Sequence, residues 1–99
     1  MAPALLIIGG AAIDAGVGPA VVALAERTRT GVLNTFTAKG LFAYDHPAHL
    51  GTIGLQRDDV ALAGVADAVA DGVTVVVCGA DELTGQLPGG VVAVAPGDL

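Results

Sequence analysis

A chain of 99 residues with 54% hydrophobic and only 14% charged residues makes one domain with one modest core. Its net charge of −6 and its four basic residues, which form no stripe, argue against nucleic acid and against anionic membranes as partners. No apolar run reaches the ~18 residues that span a bilayer, and residues 4–8 lack the basic flank and the length of a signal-peptide core. The single cysteine, Cys78, cannot form an internal disulfide, so the expected location is the reducing cytoplasm.

Ala4-Leu5-Leu6-Ile7-Ile8 is short, continuous and apolar, the pattern of a central parallel strand, and Gly9-Gly10 lets the backbone turn at its end. Residues 11–17 read as a loose connector. Gly18-Pro19 then opens a helix over residues 19–29, since proline is tolerated in a first turn. Val21, Leu24, Ala25 and Thr28 share one face of it, and Glu26, Arg27 and Arg29 reach solvent. Gly31 ends the helix and residues 32–36 form a second strand, completing a βαβ unit. The stretch from Thr37 to Gly54 shows neither helix nor strand period. With Phe36 before it, it holds every aromatic, both histidines and the only lysine, and it is expected to lie over the carboxyl ends of the strands and to carry function.

Arg57-Asp58-Asp59 opens a second helix, with Asp58 as its cap, running on Val60, Ala63, Val65 and Val69 to a stop at Asp71-Gly72. Residues 73–78, five of them β-branched, are the clearest strand and are closed by Gly79. Residues 80–90 make a polar loop, and residues 91–95 a fourth strand stopped by Pro96-Gly97. The expected fold is α/β, a parallel sheet of about four strands with helices on both faces. A strand followed by no closing helix leaves one flank bare and points to further chain.

Few residues offer chemistry. Gly9-Gly10 ahead of a helix is a loose phosphate-cradle pattern, equally well a tight turn, and its spacing departs from the dinucleotide fingerprint. His46 and His49 lie three apart, but Pro47 drives His46 to extended backbone, so a structural hydrogen bond fits better than a metal site. Cys78 has no base nearby and reads as a small buried apolar residue. The carboxylate pairs Asp58-Asp59 and Asp81-Glu82 mark a helix start and a loop. No nucleophile, base and orienter assemble into an independent enzyme, and no catalytic or metal-ligating residue is assigned.

One stretch resembles a known family. Thr37-Ala38-Lys39-Gly40-Leu41-Phe42-Ala43-Tyr44-Asp45-His46-Pro47, followed by Gly51-Thr52-Ile53-Gly54, is similar to the central-domain signature of thiamine-diphosphate-dependent enzymes. The acetohydroxyacid synthase, oxalyl-CoA decarboxylase and pyruvate oxidase group looks nearest. Leu6-Ile7-Ile8-Gly9-Gly10-Ala11-Ala12 resembles the family's first strand and turn, and Gly79-Ala80-Asp81-Glu82-Leu83-Thr84-Gly85 a shortened form of a later loop. The resemblance implies a three-layer Rossmann-like (DHS-like NAD/FAD-binding) domain, set between a pyrimidine-binding and a pyrophosphate-binding domain. Those outer domains supply the thiamine diphosphate and Mg2+ chemistry of the parent lyase or transferase, so this chain alone is not catalytic.

The resemblance also implies a candidate ligand, the ADP part of FAD or free ADP, which some members hold and others lack. Gly9, Gly10, Thr37, Lys39, Gly40, Gly51 and Gly54 would line its site, here or in a free-standing adenine-nucleotide or FAD-binding module of the same fold. Three positions depart from the family pattern. The arginine usual after Gly79-Ala80 is missing, Val92-Ala93-Val94-Ala95-Pro96 replaces an acidic strand ending, and Ala43 stands where proline is usual. The first two remove polar contacts worth tens- to hundreds-fold in affinity, which makes a structural domain the expected role. A domain that normally contacts two others would expose interface when alone, so self-association into a homo-oligomer is also expected.

Overall fold

The structure is a computed structural model that describes residues 5–42, 45–53 and 63–98. Strand β1 (Leu5–Ile8) is the centre of the sheet. All four of its residues are buried, because a parallel strand with neighbours on both edges and layers on both faces has no solvent side. It pairs in parallel with β2 (Gly31–Thr35) on one edge and β4 (Val75–Cys78) on the other. Strand β3 (His49–Ile53) lies outside β2, and β5 (Val92–Val94) outside β4, giving the order β3-β2-β1-β4-β5. The sheet thus has five strands where the sequence suggests about four. The fifth, β3, falls within the stretch that shows no period.

The two faces are separate cores. Leu6, Ile8, Val32 and Cys78 point to one face, where Ala12, Val21, Ala25, Phe42 and Ala48 cover them. Leu5, Ile7, Leu33, Val75 and Val77 point to the other and meet Val65, Ala80 and Leu83. Helix α1 (Gly10–Asp14) and helix α2 (Gly18–Thr28) lie on the first side, and helix α3 (Val65–Ala70) on the second. This is the three-layer α/β arrangement expected. Both crossovers outward from β1 to β3 use the first face. The described part of the return to β4, helix α3, and the connection onward to β5 through Leu83 and Val91 lie on the second, as a single crossover handedness requires.

Helix α2 starts at Gly18 with Pro19 in its first turn, as read from the sequence. It ends where Arg29 takes a left-handed conformation (φ 55°) and its N–H bonds to the Ala25 carbonyl. The connector expected over residues 11–17 is instead partly helical: α1 turns directly off β1, with Ala12 as its one buried residue. The second helix ends at Asp71 as expected, while its expected start at Arg57-Asp58-Asp59 lies outside the described residues.

The stretch after β2 also departs from expectation. It leaves the carboxyl end of β2 through a 3-10 turn (Phe36–Ala38), where Thr37 stays at the strand ends, and its later part packs against the α2 side instead of covering those ends. Phe42 and Ala48 are buried in that face. The His46 ring lies 4.7 Å from the Phe42 ring and 4.0 Å from Glu26 of α2, and its Nδ1 accepts the Ala48 N–H at 3.0 Å. His46 therefore makes the structural hydrogen bond expected of it. The β2–β3 register shifts by one residue between Val32 and Leu33, and Leu50 at this bulge lies over Gly31.

Candidate functional site: a crevice at the carboxyl edge

In a sheet of this order the connections from β1 and β4 leave in opposite directions, which opens a crevice beyond their carboxyl ends. The floor of that crevice is closed by backbone contacts. Gly9 N–H bonds to the Cys78 carbonyl at 3.0 Å and Ala11 N–H to the Gly79 carbonyl at 3.1 Å, so the turn after β1 is stitched to the turn after β4. A Cβ on Gly9 would sit 2.2 Å from the Gly79 carbonyl oxygen and 2.4 Å from Ala80 Cα. Gly79, at φ 64°, presses equally closely: its Cβ would lie 2.3 Å from the Ala12 nitrogen. Both glycines are required by close backbone approach, and Gly79 by its left-handed conformation as well.

Glu82, in the 3-10 turn Asp81–Leu83, turns its carboxylate into this crevice. Oε2 accepts the Gly10 N–H at 3.1 Å and the Thr35 hydroxyl at 2.8 Å, together with the Thr37 hydroxyl. The Thr35 and Thr37 hydroxyls are themselves 3.0 Å apart. Burial pushes the Glu82 carboxyl up, but the bonds from Thr37, its own backbone, Gly10 and Thr35 outweigh that effect and hold it below the ordinary glutamate range. Three loops, following β1, β2 and β4, therefore meet at one carboxylate. Cys78 beneath it is free and buried, and that burial pushes its thiol up, away from reactivity.

Gly9, Gly10 and Thr37 come together at this crevice. Lys39 and Gly40 do not join them. The Lys39 ammonium lies 5.9 Å over the Phe36 ring, and both residues line a separate hollow with Ile13, Gly18 and Leu41. Gly51 sits at the bulge in edge strand β3, beside Leu33 and Leu5 on the second face. Gly54 lies outside the described residues. Thr35 is not singled out by the sequence, and Glu82 is read there only as half of a loop carboxylate pair. Thr35 sits at the end of an ordinary strand, and Glu82 is 72 residues from the amide it accepts, so no local pattern signals either.

The donor set bears on which ligand fits. A backbone N–H and two hydroxyls are groups a diphosphate would use, yet all three are given to a carboxylate of the same charge sign. A Cβ on Gly9 would also meet Glu82 Oε1 at 2.7 Å, so the carboxylate packs against this turn. The crevice as built does not fit the diphosphate of ADP or FAD. Among the described residues, no group of three His, Cys, Asp or Glu side chains could hold a metal ion, and no helix is long and apolar enough to cross a membrane.

A doubly wound parallel sheet with its crevice between β1 and β4 defines a class of folds, and the sequence then defines the family. The family described as thiamine pyrophosphate enzyme, central domain, matches residues 2–91, and the chain belongs to it. It is similar to an acetolactate synthase from Arthrospira platensis, with 41% identity over 51 residues. That match covers 52% of this chain but only 9% of the relative's length.

Proposed function

We propose that this domain is the structural middle of an acetolactate synthase-like enzyme dependent on thiamine diphosphate. It spaces and orients a pyrimidine-binding and a pyrophosphate-binding domain, which hold the cofactor and its Mg2+. The observation that carries the reading is the family match across residues 2–91, laid on a sheet whose own crevice is filled by its own side chain. Thiamine diphosphate supplies the carbanion chemistry of such an enzyme when bound between the outer domains. The residues of this chain contribute a rigid sheet and the faces on which those domains rest. A buried, unreactive Cys78 is compatible with a cytoplasmic setting.

The mass of the gene product in its native cells tests this. A product of several hundred residues, with peptides from outer domains contiguous with this sequence, is expected. A stable product of about 100 residues, a size at which a domain stands alone, overturns it.

A further inference from the structure

We propose that Glu82 is the resident occupant of the crevice at the carboxyl edge, and that through it the domain excludes ADP and FAD. The inference rests on the central-domain reading, which is what makes an adenine nucleotide the ligand to expect there. Two independent observations support it. The donors that line the crevice, Gly10 N–H and the Thr35 and Thr37 hydroxyls, already converge on one Glu82 oxygen. The backbone of Gly79 and Ala80 also packs so closely against Gly9 that not even a Cβ fits between them, which leaves the turn after β1 no room to open toward β4.

Exclusion then has an electrostatic and a steric part. A diphosphate entering the crevice would bring its charge against a carboxylate that keeps its own ionised form. It would also have to part the turn after β1 from the turn after β4, which share the Gly9 to Cys78 and Ala11 to Gly79 hydrogen bonds. The other polar candidate in the neighbourhood, Lys39, lies over the Phe36 ring. Glu82 serves in place of a bound nucleotide: it ties together the three loops that a ligand would otherwise order.

Nuclear magnetic resonance on the isotope-labelled full chain tests this in two parts. Titration with ADP and with FAD is expected to leave the Gly9, Gly10, Thr35 and Thr37 amides without saturable change up to ~1 mM ligand. Saturable micromolar binding at those amides overturns the proposal while leaving the central-domain reading intact, since the native mass of the gene product tests that separately. The second part compares wild type with Glu82→Gln. The Gly10 amide resonance is expected to move upfield as its charged acceptor is lost, with amides at the sheet centre, such as Ile7 and Val76, unmoved. An unmoved Gly10 amide means the carboxylate is not in the crevice and overturns the proposal. Thr37→Val, which removes one donor and keeps the acid, is the second variant. The Glu82 carboxyl carbon resonance is expected to shift, and no shift counts against the proposal in the same way.

Discussion

Glu82 holds three donors from two other loops, yet the residue as a whole remains exposed on its outer side. Solvent therefore screens the interaction, and its worth is below about 1 kcal/mol rather than that of a buried charge. Its pH dependence has a definite sign. The folded carboxyl titrates below its unfolded value, so its contribution is fully present above the ordinary glutamate value, about 4.3. It is lost as pH falls through the lower folded value. Urea unfolding of wild type and Glu82→Gln should thus differ at pH 7 and converge in strong acid; a difference that persists there contradicts the assignment. Gly79 gives a larger effect. Alanine would meet both the left-handed backbone (φ 64°) and the Ala12 nitrogen, and should cost at least ~1–3 kcal/mol in thermal or urea unfolding. Of the crevice, Gly9, Gly10 and Thr37 are visible in the sequence because a glycine turn after an apolar strand has a local signature. Glu82 is not, because its partners are gathered only by the closed sheet.

Among the elements, legibility follows burial. β1 and β4 are plain in the sequence because strands enclosed on both faces show unbroken apolar runs, Leu5-Leu6-Ile7-Ile8 and Val75-Val76-Val77-Cys78. β3 is hidden because it is an edge strand with a bulge: of His49-Leu50-Gly51-Thr52-Ile53 only Ile53 is buried. Its place is held by polar bonding that no periodicity reports, the buried Asn34 amide donating to Thr52 Oγ1 at 3.0 Å. α1 is hidden for a similar reason, since five residues with one buried alanine show no helical stripe. The end of α2 supplies a test. Arg29 is the one non-glycine residue with positive φ among the described residues, and a side chain there costs roughly 1–2 kcal/mol relative to glycine. Glycine's greater freedom in the unfolded chain offsets part of that. Arg29→Gly should therefore raise stability by about 0.5–1 kcal/mol, read from the denaturant midpoint, with an unchanged slope. A loss of stability would mean that the Arg29 side chain contributes more than its backbone strain removes.

At the scale of the molecule the layers are uneven. β1 is enclosed, but β5 has Val92 and Ala93 exposed, with Val92 at 49% of its full area. An apolar strand at a sheet edge is a template for pairing with another chain. Val92→Lys should lower self-association of the isolated chain in sedimentation equilibrium, while changing unfolding stability by no more than about 0.5 kcal/mol. Equal association by both forms would place the contact elsewhere, for example at exposed Leu50 on the opposite edge.

The central position of β1 also bears on the order in which the fold is reached. Leu5 pairs with Gly31 on one side and with Val75 on the other, so the first partner is close in the chain and the second far. Closing the short loop costs less entropy, which makes the β1–α2–β2 unit the natural nucleus, with β4 and β5 docking afterwards. The tie made by Glu82 can form only once β4 has docked. Glu82→Gln should accordingly speed unfolding and leave the refolding rate nearly unchanged in stopped-flow measurements, the mark of a contact made on the native side of the barrier. In that sense the carboxylate acts as a late fastening of the assembled sheet, one that slows the rate at which the domain comes apart by no more than about fivefold.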